Sequence, residues 1–75
     1  MSDPYLELEQ LLPPIFARTE VPRLLGKLIS VGRLANLDSE KKGPPIIRLG
    51  RKVGYMRTDF IAWMRSRSEE AGKEG

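Results

Sequence analysis

Arg33 and Asn36 stand three residues apart in Ser30-Val-Gly-Arg-Leu-Ala-Asn-Leu37, a spacing that puts both on one side of a helix. Their planar ends suit the edges of nucleobases. A guanidinium pairs bidentately with guanine and a carboxamide with adenine, each good pair giving about 1 to 3 kcal/mol of discrimination. Further along, Arg48, Arg51 and Lys52 surround Gly50, and cations grouped at a turn attract phosphate. Lys41 and Lys42 lie between these two groups, either simply solvated or placed to touch a nucleic-acid backbone. A solvated helix face and a solubilising hairpin tip carry the same residue types, so chemistry alone leaves both readings open.

Catalytic chemistry finds less support. The 75 residues include no His and no Cys, which removes the commonest general base, the commonest metal ligand, disulfide staples and thiolate metal sites. Ser and Thr then have no partner base, so the chain is expected not to be an enzyme and to need no cofactor or metal.

Charge is distributed in blocks. Residues 1–17 carry −3, residues 18–67 carry +8 and residues 68–75 carry −2, within a total of +3. A basic centre between acidic ends suits a polyanionic partner, because phosphates attract Lys and Arg and release counterions on contact. No apolar run approaches the roughly 20 residues that span a bilayer, and Met1-Ser2-Asp3-Pro4 lacks the regions of a secretory signal. A soluble, cytoplasmic, nucleoid-associated protein with no membrane contact is the expectation.

The elements that must position these residues follow from punctuation and periodicity. Tyr5 to Leu12 reads as two helical turns with Tyr5, Leu8 and Leu12 on one side, ended by Pro13-Pro14. It packs on the domain, on another subunit, or frays. Thr19 is a good N-cap for a helix over Glu20–Leu25, with Pro22 in its first turn and Gly26 as its left-handed end. Val21, Leu24 and Leu25 form its inner side. Ser30 caps a second helix from Val31 to about Ser39, with Val31, Leu34 and Leu37 inside and Arg33, Asn36 and Glu40 outside. Gly32 weakens that helix by up to about 1 kcal/mol relative to Ala, so a local reason for it is expected, such as close approach to a neighbouring backbone.

After the breaker Lys41-Lys42-Gly43-Pro44-Pro45, two strands, Ile46–Leu49 and Val53–Met56, flank Gly50-Arg51-Lys52 as a hairpin with a basic tip. Thr58 caps a last helix over Asp59–Arg67, in which Phe60, Ile61, Trp63 and Met64 close the core. The expected fold is α+β, a winged helix-turn-helix of about three helices with a two-stranded hairpin wing and a connecting turn of three or four residues between the paired helices. It divides into an appendage at 1–14, a domain at 15–67 and a flexible tail at 68–75.

The string Gly43-Pro-Pro-Ile-Ile-Arg-Leu-Gly-Arg-Lys-Val-Gly-Tyr-Met-Arg-Thr-Asp-Phe-Ile-Ala-Trp-Met64 resembles the excisionase and AlpA-like group, small DNA-binding proteins of phages and mobile elements with a MerR-like winged fold. Upstream, Thr19-Glu-Val-Pro-Arg-Leu-Leu-Gly26 and Ser30 to Leu37 are similar to the two preceding helices, so the resemblance covers residues 15 to 67 or so. It implies that the helix from Val31 is the recognition helix, that Gly50-Arg51-Lys52 is the wing beside the minor groove, and that Tyr55 and Trp63 are core. Two departures stand out: Leu37 occupies a position that is often aromatic, and Asp38 and Glu40 bring negative charge to the end of the recognition helix and should face away from phosphate.

With the resemblance, the residues expected to face DNA are Thr19, Lys27, Ser30, Val31, Arg33, Asn36, Lys41, Lys42, Arg48, Arg51, Lys52 and Arg57. The implied function is an excisionase that helps an integrase remove a mobile element. It would be a monomer in solution that turns cooperative on tandem sites in double-stranded DNA. A phage-type transcriptional regulator of the same fold is the nearest alternative. A module that binds an acidic protein through the same basic surface is an alternative of another class.

Overall fold

The computed structural model describes the backbone of residues 4–74 and the side chains of residues 5–67. Helix α1, Pro4–Leu11, stops at the two prolines and turns its Tyr5–Leu8–Leu12 side inward. Of the placements open to this segment, packing on its own domain is the one observed. Tyr5 donates its hydroxyl proton to the Met64 carbonyl at 3.5 Å, and Arg65 lies 4.8 Å from the Tyr5 ring centre. Strand β1, Ile15–Ala17, follows at once and was not expected: three residues after a proline pair give too short a pattern to read as a strand.

A 3-10 turn at Arg18–Glu20 leads into the four-residue helix α2, Val21–Leu24. Thr19 therefore does not cap this helix, contrary to expectation. The chain is already turning at residue 18, Glu20 takes the cap position with helical φ and ψ, and no side chain bonds to the freed amides. Glu20 instead pairs with Arg23, whose Nε donates at 2.9 Å. Leu25 leaves helical geometry, and Gly26 and Lys27 follow with φ of +61° and +65°. The left-handed stop at Gly26 is as expected, but the connection to the next helix runs over residues 25–30, longer than the three or four anticipated.

Helix α3, Val31–Ser39, starts where the sequence indicated, with Ser30 Oγ accepting from the Arg33 amide at 3.0 Å. Its end is a Schellman motif. The Lys42 amide reaches the Leu37 carbonyl at 2.8 Å and the Lys41 amide reaches the Asp38 carbonyl at 3.0 Å. Lys41 holds the left-handed position at φ +60°, where glycine is the usual occupant. The close backbone neighbour expected at Gly32 is absent, since a Cβ built there meets nothing within 4 Å. Gly32→Ala should therefore stabilise the fold by about 0.5 to 1 kcal/mol, through helix propensity alone. A lower unfolding midpoint in denaturant would contradict this.

Strands β2, Ile47–Leu49, and β3, Lys52–Met56, form the hairpin. Leu49 pairs with Lys52 around Gly50 and Arg51, and only Gly50 of those two has positive φ, the pattern of a type II′ turn. The expected two-stranded hairpin is in fact a three-stranded antiparallel sheet of order β1-β3-β2, because β1 pairs along the free edge of β3. Gly54 makes that pairing possible. A Cβ there would stand 2.9 Å from the Phe16 carbonyl oxygen. Gly54→Ala should cost about 1 to 3 kcal/mol by pushing β1 off the sheet; thermal melting at an unchanged midpoint would show that the strands yield freely.

Helix α4, Arg57–Glu74, begins before Thr58, so Thr58 lies exposed in its first turn and is not the cap. The Arg57 amide donates to the Pro14 carbonyl at 2.9 Å, which ties the start of α4 to the α1–β1 connection. The helix continues to Glu74 through the segment expected to be a flexible tail; Gly75 lies outside the described residues. No helix among the described residues is long and apolar enough to cross a membrane.

The core lies between sheet and helices. Val21, Leu34, Tyr55 and Phe60 are fully buried, joined by Leu12, Phe16, Leu37 and Ile61. Tyr55 is thus a core residue, as the resemblance implied. Trp63 packs against that core from its margin: it is half-buried, its ring lies 5.6 Å from that of Phe60, and it donates its indole N–H to the Lys42 carbonyl at 2.8 Å. A tryptophan with one polar edge fits a core margin where that edge finds an acceptor. The architecture is a small α+β arrangement of helices against one face of a three-stranded antiparallel sheet.

Candidate nucleic-acid interface

The Ser30 cap starts α3 at Val31, and its buried Leu34 and Leu37 fix which way the helix is rolled. Arg33 and Asn36 then emerge on the exposed side, and Val31 is half-buried at the helix start. No intramolecular side-chain partner engages Arg33 or Asn36 among the described residues. Glu40 is exposed too. Asp38 is not a free charge, because its Oδ2 faces the Arg18 guanidinium at 3.3 Å, turning this acid toward the protein interior.

Arg18 escaped the sequence reading and is the fastener of the region. Its Nε donates to the Tyr55 hydroxyl at 2.9 Å while its second nitrogen meets Asp38, so one side chain joins the 3-10 turn, strand β3 and helix α3. Only 14% of that side chain is exposed. Burial works against its charge, but the Tyr55 hydroxyl and the Asp38 carboxylate outweigh that and hold its pKa above the ordinary arginine value. A raised pKa means a stabilising contribution lost only as pH climbs through the folded value, far into alkali, so this link does not switch near neutrality. The one hint in the sequence was Asp38, an acid on a helix whose only other charge is Arg33.

The tip of the β2–β3 hairpin presents Arg51 and Lys52 in the open, and a shallow cleft of about 300 Å³ brings them together with Thr19. Arg48 is exposed on β2, opposite Val53. Lys27, Ser30 and Arg33 meet around a second cleft whose far wall is α4. Lys42 meets Arg67 around a third cleft, beside Trp63. Arg67, on α4, was not among the expected residues; the sequence placed it at a helix end without indicating which loops it would face. Arg57 differs from the others in having a structural task, because its guanidinium donates to the Leu12 carbonyl at 3.0 Å and the residue is half-buried.

The only non-glycine residues with positive φ among those described are Lys27 and Lys41, which bracket α3. Left-handed geometry costs a residue with a Cβ about 1 kcal/mol or more, and retained strain of this kind is associated with function. Among the described residues, no three carboxylates gather as a metal cluster. Comparison of the chain with protein-family models, with curated proteins and with solved structures finds no match.

Proposed function

We propose that the chain is a winged helix-turn-helix module that binds double-stranded DNA and serves as an excisionase, assisting an integrase at tandem sites. Helix α3 would enter the major groove with Arg33 and Asn36 toward base edges, and the Gly50–Arg51 turn with Lys52 would lie over the flanking minor groove. The observation that carries this reading is the exposed, unpartnered Arg33–Asn36 pair on a capped helix, with one left-handed lysine just past its C-terminal end and another in the connection before it. Support also comes from the resemblance over Gly43–Met64 and from the +8 charge of residues 18–67.

A salt titration of duplex binding tests the module. Contact with about five phosphates should give a log-log slope near −4.5, at about −0.9 per phosphate. Lys41→Gly sharpens the test, because it should raise stability by about 1 kcal/mol while weakening DNA binding and making the slope less negative by about 0.9. A flat salt response would point to an acidic protein as the partner and remove the DNA reading. An excision assay with the cognate integrase then tests the role: promoter binding without stimulated excision would assign transcription control instead.

A further inference from the structure

Beside the proposed DNA surface lies a cleft that phosphate contact does not explain. It has a volume of about 540 Å³, within the roughly 300 to 1,000 Å³ range of small-molecule sites. Its apolar wall is made by Leu25, Ile29, Trp63 and Met64, supplied by the α2–α3 connection and by α4, with the fully buried Phe60 beneath them. Three cations frame it, Lys27, Arg33 and Arg67, and among the described residues no carboxylate lines it. Arg67 holds its guanidinium 5.5 Å from the Trp63 ring centre, and Leu28 stands 77% exposed at the rim.

A DNA backbone needs cations but has no use for an apolar wall of this size. A purely apolar ligand, conversely, would not call for three cations. Both features are satisfied together by one chemistry, a compact apolar body carrying an anionic group. The conformation of Lys27 points the same way, since glycine would serve the left-handed turn at lower cost and the lysine adds an ammonium group beside the cleft.

We propose that the cleft between the α2–α3 connection and α4 binds a small amphiphilic organic anion, a carboxylate or sulfonate on an apolar frame. Lys27 and Arg33 belong both to the cleft and to the proposed DNA surface, so the ligand and the duplex compete. The site itself does not depend on the DNA reading; only the competition does.

The test uses the full chain and 8-anilinonaphthalene-1-sulfonate as probe. Saturable one-site binding with quenching of Trp63, the only tryptophan, is the expected result. Arg67→Glu should weaken it about tenfold or more, the equivalent of one charge-assisted contact. Leu28→Glu, an exposed change that leaves the core intact, should weaken it similarly. A second apolar surface, the outer sheet face bearing Ile15, Leu49 and Met56, supplies the opposing outcome. Binding that survives both cleft variants but disappears in Leu49→Glu overturns the site, as does absence of binding to the folded chain. Duplex DNA should displace the probe; bound DNA that leaves probe fluorescence unchanged overturns the competition. If the chain binds the probe as described but no duplex, the DNA reading fails and the cleft stands.

Discussion

Phe60→Ala should lower the thermal midpoint by more than about 15 °C and leave little folded protein at physiological temperature. Phe60 is fully buried, and its ring lies 5.4 Å from that of Phe16, 5.2 Å from that of Tyr55 and 5.6 Å from that of Trp63. Truncating a buried phenylalanine costs about 3 to 5 kcal/mol from lost transfer free energy and the cavity left behind. Three aromatic pairs add to that loss. At about 0.05 to 0.15 kcal/mol per residue, a chain of 75 residues has roughly 4 to 11 kcal/mol in total, so the substitution removes much of it. Each kcal/mol moves the midpoint of so small a domain by about 4 to 8 °C. Thermal melting followed by circular dichroism reads the effect. Phe60→Leu, which keeps most of the volume, should recover over half the loss; equal losses for the two variants would mean that packing around residue 60 is not the cause.

Arg18→Ala should cost about 2 to 3 kcal/mol although it removes a charged residue from near the surface. The Arg18 side chain is 14% exposed and Asp38 33%, so the pair is too buried to be a negligible surface bridge and too open for the full penalty of about 3 to 5 kcal/mol seen in buried pairs. Truncation also leaves the fully buried Tyr55 without the donor to its hydroxyl. Arg18→Lys should rescue little, because one ammonium cannot serve Tyr55 and Asp38 from two separate nitrogens. A double-mutant cycle with Asp38→Asn reads the coupling between the two side chains.

If the chain binds duplex DNA as proposed, the same variant distinguishes two ways of losing that affinity. Arg18 acts on α3 from inside the fold, so its loss should weaken duplex binding without altering the salt slope. Removal of Lys41, which the proposed reading sets against phosphate, should change the slope itself. A shallower slope for Arg18→Ala would mean that this guanidinium reaches phosphate directly.

What could be read from the chain alone was whatever depends on near neighbours. The Ser30 cap, the three-residue repeat of Val31, Leu34 and Leu37, the stop at Gly26 and the hairpin around Gly50 each rest on interactions closed within a few residues, and all four stand in the structure. The exposed faces of Arg33, Asn36, Arg51 and Lys52 follow from the same periodicities. Thr19 and Thr58 misled because good capping side chains preceded helical patterns, while the chain had begun to turn before either residue; a 3-10 turn leads into α2, and the Arg57 amide bond to Pro14 marks the start of α4.

Only tertiary structure decided the features that join distant segments. Strand β1 exists because Gly54, 38 residues further on than Phe16, leaves room for its backbone. Arg18 links the 3-10 turn to Tyr55 and Asp38 across gaps no local pattern spans. The candidate interface divides in the same way. Its residue types and exposed faces were legible locally, whereas the grouping of Thr19 with the hairpin tip, and of Lys27 and Arg33 with Arg67, arises only when packing of the apolar core brings separate elements side by side.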